Sequence, residues 1–151
     1  MYNAPPMHLL YYWKPTNYVV DRRAGFAFAL WQNSRTMAQI RPGETLWAFT
    51  RNADGRYVLA AKVIAQDVTD QNPDPRYGRY RVRGLPTSRL FDVDDAPDAE
   101  PLIRSLSIRA DAPALGQSFQ GASAVRPLTD DDHARLSEFA RSMADVVGIK
   151  S

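Results

Sequence analysis

Two apolar runs, Thr45–Arg51 and Arg56–Asp67, are joined by Asn52-Ala53-Asp54-Gly55. This pattern predicts a β-hairpin, because Asn and Asp side chains hydrogen-bond the turn backbone and Gly accepts positive φ. What constrains the fold is the content of the strands. Successive side chains point to opposite faces, so Trp47 and Phe49 share one face of the first strand and Leu46 and Ala48 the other. A strand that is apolar on both faces must be covered on both. That favours a closed or nearly closed barrel over an open sheet.

The flanking segments add elements to this hairpin. His8–Trp13 reads as a strand between Pro5-Pro6 and Lys14-Pro15, and Phe26–Trp31 as a second. Ser34–Ile40 reads as a short helix with Ser34 as N-cap, ending before the turn Arg41-Pro42-Gly43-Glu44. Thr69–Arg76 contains Pro73 and Pro75 and reads as a surface loop. Arg79–Arg83 alternates, with Tyr80 and Val82 inward and Arg79, Arg81 and Arg83 outward. Leu90–Val93 reads as a short strand, Pro101–Leu106 as a helix, and Asp111–Gly121 as irregular. A final helix starts at Thr129, with Asp130–Asp132 in its positive first turn and Leu136, Phe139, Ala140, Met143 and Val147 as its apolar stripe. Together these predict one α+β domain over residues 1–151, a mixed β-barrel of five or six strands with flanking helices.

The catalytic inventory is thin. The absence of cysteine excludes disulfides, thiolate metal sites and cysteine nucleophiles. His8 and His133 are the only histidines. They read as a structural residue opening a strand and a solvated residue on the last helix. Asp92, Asp94, Asp95 and Asp98 surround Pro97 in what reads as a solvated acidic loop. No phosphate-cradling loop and no nucleophile elbow is present. The expectation is therefore a protein without metal or cofactor. The first residues lack a charged segment followed by an apolar one, and no run is long enough to span a bilayer, so a cytoplasmic location without membrane contact is expected.

The net charge of +2 hides an asymmetry: residues 22–89 hold 12 Lys+Arg against 5 Asp+Glu, and residues 90–151 hold 6 against 11. A basic middle suits a surface that meets an anion. Sixteen of the 19 basic residues are arginine, the side chain whose planar fork matches phosphate. Arg79, Arg81 and Arg83 are spaced about 6.6–6.8 Å apart along one strand face, close to the repeat of a nucleic-acid backbone. All three tryptophans lie in the first third of the chain, each beside a polar or basic stretch: Lys14–Asn17, Gln32–Arg35 and Thr50–Asn52. An indole fills a core, but it also walls a pocket for a flat ring. The candidate ligand-binding residues are thus Trp13, Asn17, Trp31, Asn33, Ser34 and Trp47, with the three arginines as candidate phosphate contacts.

The order of His8–Asn17 (HLLYYWKPTN), Trp31–Arg35 (WQNSR), Ile40–Arg51 (IRPGETLWAFTR) and Gly55–Val68 (GRYVLAAKVIAQDV) resembles the PUA-like superfamily. Within it, the likeness is to the EVE group, small barrels related to YTH and ASCH domains. Trp13 matches the tryptophan that ends the first strand and Trp31 that of the middle segment, with Asn17, Asn33 and Ser34 at nearby polar positions. The turn here is Gly43-Glu44 where the family has Gly-Asp. The resemblance implies non-catalytic recognition of a nucleobase of DNA or RNA, often a modified one, turned out into an aromatic-lined pocket. Related modules are fused to HNH-type nuclease domains. None is seen in these residues, so cleavage would need a separate nuclease or effector protein, or a lost segment. Two other classes stand beside this reading. One is a small ASCH-like enzyme acting on a nucleoside or amide through Lys14 or Lys62 and Glu44. The other is a protein-interaction module presenting exposed aromatics.

Overall fold

The hairpin forms where the sequence places it and occupies the middle of the sheet. The computed structural model describes residues 6–23, 29–32, 35–70, 80–120 and 124–146. In it β3 (Thr45–Arg51) pairs antiparallel with β4 (Tyr57–Thr69). Asn52 holds the turn: its Oδ1 accepts the N–H groups of Asp54 (3.1 Å) and Arg56 (3.0 Å), and its Nδ2 donates to the Val93 carbonyl (2.9 Å). Gly55 takes φ of +79° and Gly43, in the preceding turn, +88°, the left-handed values for which the sequence supplies glycine. Thr45 to Thr50 are all buried, so both faces of β3 are covered, as its composition requires.

β1 (His8–Tyr12) runs parallel to β3 and antiparallel to β7 (Val125–Leu128). A parallel pair needs a long crossover, and α1 (Pro15–Arg23), β2 (Ala29–Gln32) and α2 (Arg35–Ala38) supply it. β5 (Tyr80–Gly84) pairs with the end of β4 and with β2, and the two-residue β6 (Arg89–Leu90) lies against β4 at Ala61 and Lys62. The result is an α+β fold on one mixed sheet of order β2-β5-β4-β3-β1-β7, with β6 attached to β4. β4 meets β3 through Tyr57–Ile64 and β5 through Ala65–Thr69, with an irregularity between Ala65 and Asp67. Such breaks bend a strand and coil its sheet. Among the described residues no ladder joins β2 to β7, and α2 packs against both β5 and β7.

α3 (Glu100–Ser105), a 3₁₀ turn (Leu115–Ser118) and α4 (Asp130–Ala140) complete the described elements. Thr129 caps α4 in a reciprocal box with Asp132. Of the expected apolar stripe, Leu136, Ala140 and Met143 are buried and Phe139 is half-buried, whereas Val147 lies outside the described residues. The 3₁₀ turn packs against Tyr12, which stacks on Phe49 at 4.9 Å. The fit leaves no room at Gly116, where a Cβ would lie 2.6 Å from Tyr12 Cε2.

Three elements depart from the sequence reading, the first being the expected Leu90–Val93 strand, which is only Arg89–Leu90 with Phe91 in an isolated bridge to Asp145. The segment after Lys14 is helical, because Pro15 stands at the first helical position, where its fixed φ fits and its missing N–H costs nothing. Val125–Leu128 is a strand despite Pro127, which its place at the end of the strand order permits. Phe26–Phe28 of the expected second strand and most of the expected Thr69–Arg76 loop fall outside the described residues. Because Asn52 satisfies two turn amides and the buried Val93 carbonyl at once, Asn52→Ala should lower unfolding free energy by about 2–3 kcal/mol. Urea denaturation checks this as a drop in midpoint at unchanged m.

Candidate functional site

The register separates Trp13 from Trp47, two of the three tryptophans named as candidate pocket walls. Leu10 lies opposite Trp47 and Tyr12 opposite Phe49, so Trp47 faces the side of the sheet that carries Tyr12. Trp13, one residue further, faces the other side. Both rings are fully buried, and neither offers a face to solvent. Trp13 meets Tyr18 of α1 edge-on, with centroids 4.9 Å apart. Tyr18 is itself half-buried; burial raises its pKa against the opposing charge and hydrogen bond of Arg22. Asn17, beside it on α1, is exposed. Trp31 stands opposite Arg81 in the β2–β5 ladder. Asn33, Ser34 and Arg79 lie outside the described residues.

On the Trp47 side the fold assembles a cluster that the sequence did not announce. His8 opens β1 and His133 lies in the first turn of α4, and their rings stack 3.7 Å apart with 4° between planes. His133 Nδ1 accepts the indole N–H of Trp47 at 3.0 Å, so the neutral ring carries its proton on Nε2. Lys62 Nζ sits 5.3 Å from the centroid of the Trp47 ring, and Asp130 Oδ1 lies 3.4 Å from His8 Nε2. Burial lowers the pKa of His133 to about 4, with His8 and Lys62 adding to the effect and Asp130 opposing it. The imidazole is therefore neutral at pH 7. This corrects the expectation that His133 is a solvated helix residue. The reason is the docking of the helix start: Asp132 accepts from the Ser107 N–H at 3.1 Å and from the Ser107 hydroxyl, which ties the first turn to the segment after α3. No sequence signal links residue 8 to residue 133. Only the parallel β1–β3 pairing and the pairing of β7 with the other edge of β1 bring them together.

Glu44, the candidate carboxylate, serves the scaffold. Glu44 is buried, and its carboxylate accepts from the N–H groups of Met7 (2.6 Å) and Arg41 (2.7 Å) and from the Arg41 guanidinium (2.9 Å). Burial raises its pKa, but the Arg41 side chain and the two amides outweigh that and hold it below the usual glutamate value. The carboxylate thus anchors the turn into β3 and the approach to β1. Lys14 is exposed. On β5, Val82 is buried between half-buried Arg81 and exposed Arg83, as alternation predicts. Arg83 pairs with both carboxylate oxygens of Asp67, which faces it from β4. That hydrogen bonding, joined by the charges of Arg83 and Arg81, holds Asp67 below the usual aspartate pKa despite some burial. Part of the charge of the arginine row is therefore balanced within the sheet.

Among the described residues no three His, Cys, Asp or Glu side chains gather where they could hold a metal ion, and no helix is long and apolar enough to cross a membrane. The chain matches no protein-family model, and no curated protein matches it significantly.

Since Trp13 is enclosed by the core, Trp13→Ala should cost about 3–5 kcal/mol of stability. Urea unfolding followed by far-UV circular dichroism measures it. A cost under about 1 kcal/mol would mean that the ring is not core.

Proposed function

We propose that this chain is a non-catalytic nucleic-acid-binding module, a PUA-like, EVE-like domain that recognises a nucleobase of DNA or RNA, including a modified one. The observation that supports the reading is the mixed sheet with a break in β4 and a short helix beside its two end regions. β4 passes from β3 to β5 through an irregularity, and α2 packs against both β5 and β7 across the side that no described ladder closes. In this reading the break lets the sheet bend, and α2 covers the side between β5 and β7 in the manner of a small barrel of this class.

The buried tryptophan at position 13 takes a supporting role in this reading. It packs edge-on against half-buried Tyr18, and the reading assigns exposed Asn17, on the same helix as Tyr18, to a base-edge hydrogen bond. Stacking is assigned to Trp31, with Asn33 and Ser34 following it in sequence. Arg81, opposite Trp31 in the ladder, supplies a phosphate contact that positions without specifying. Turning a base out of its stack costs a few kcal/mol, and stacking worth about 1–3 kcal/mol per base offsets much of it. Cleavage of a bound nucleic acid would belong to a separate nuclease or effector.

Fluorescence anisotropy with oligonucleotides that do or do not carry a modified base tests this. Trp31→Ala should weaken binding by about 1–3 kcal/mol, roughly 5- to 150-fold in Kd. Arg81→Ala should weaken binding to all sequences alike and reduce the slope of log K against log salt by about one. Wild-type protein that binds no oligonucleotide at low salt, or a folded Trp31→Ala variant of unchanged affinity, would count against the reading.

A further inference from the structure

We infer that the stacked His8–His133 pair is an acid-sensitive latch that holds the Trp47 indole N–H at neutral pH and opens when His133 is protonated. Three geometric facts carry this. The rings are parallel and 3.7 Å apart, so a charge on His133 would lie against the largely buried His8 ring, away from water. His133 Nδ1 is already used as the acceptor of the Trp47 indole N–H, and a protonated nitrogen cannot accept. The ring also has Lys62 from β4 facing it and His8 from β1, against the single opposing charge of Asp130. Asp130 is a weak counterweight, since its side chain is 82% exposed and solvent screens it. From β6, Arg89 lies opposite Lys62 in the ladder but is directed to Asp145 and to the Ala140 and Met143 carbonyls.

The motion is confined to the ring. Asp132 keeps the first turn of α4 tied to Ser107 and Thr129, so the helix stays docked while the imidazole rotates out of the stack. The indole N–H of Trp47 is then released towards solvent next to the Lys62 ammonium. The direction follows from linkage. His133 in the closed state is lowered from 6.5 to about 4, and a ring released to solvent returns towards 6.5. The closed state is therefore fully favoured above pH 6.5 and loses its advantage as pH falls towards 4.

Nuclear magnetic resonance of the indole N–H groups of the full chain reads the latch directly, with the Trp47 signal assigned by its loss in Trp47→Phe. On acidification the Trp47 indole should shift with a midpoint between 6.5 and about 4 and lose at least about tenfold in hydrogen-exchange protection. The β3–β4 amides should remain protected. His133→Asn keeps an uncharged acceptor near the position of Nδ1, so its Trp47 signal should be flat over the same range. Lys62→Met removes a cation facing the ring and should move the midpoint upward. The inference is overturned if the wild-type signal is flat, if His133→Asn shows the same transition, or if β3–β4 protection is lost together with that of the indole.

Discussion

The parallel pairing of β1 with β3 is the constraint from which the rest of the architecture follows. An antiparallel neighbour could have been reached by a tight turn. A parallel one obliges the chain to leave the end of β1, travel back and re-enter beside its start. That return path is α1, β2 and α2, and it is why the segment that the resemblance associates with ligand recognition lies apart from the central hairpin. The anchor at the point of re-entry is Glu44, which grips Met7 just before β1 and Arg41 just before β3. With β3 taken on one edge, β1 is left to pair with β7 on the other, and the chain runs from β7 directly into α4. The meeting of His8 with His133 is a by-product of this threading.

How much of this could be read in advance depended on whether the determining interactions were local. The hairpin was legible because Asn52, Gly55 and the alternating apolar residues all act within a few positions of one another. The cap of α4 was legible for the same reason, since Thr129 and Asp132 are three residues apart. α1 was not, because Pro15 was read as an end to the strand when it is equally a good first residue of a helix. β7 was hidden by Pro127, which is acceptable only at the end of the strand order, a fact of tertiary arrangement. The tryptophans were the least legible. Their spacing beside polar stretches is the same whether a ring walls a pocket or fills a core, and only the register shows Trp13 and Trp47 on opposite faces.

The arginine content carries a similar ambiguity, and the structure resolves much of it. Arg104 donates to the carbonyls of Ala110, Ala112 and Pro113, Arg126 to those of Ser118 and Ile108, and Arg89 to those of Ala140 and Met143. Arg56 holds the Ala96 carbonyl. These segments contain few regular backbone partners, and a guanidinium with five donors can satisfy several carbonyls at once. An arginine-rich composition is thus partly the means by which a loop-rich second half is held together.

The contact between Tyr12 and Gly116 has a consequence for descent. The two positions share one volume, and they are separated by most of the chain. A relative that retains a large ring at position 12 has no space for any side chain at 116. One that carries a side chain at 116 must have lost bulk at 12, or must have moved the 3₁₀ turn away from the sheet. The pair is therefore a site of forced covariation, and tracing how it varies among descendants of a common ancestor would show where the turn's seat on β1 has been kept and where it has been rebuilt.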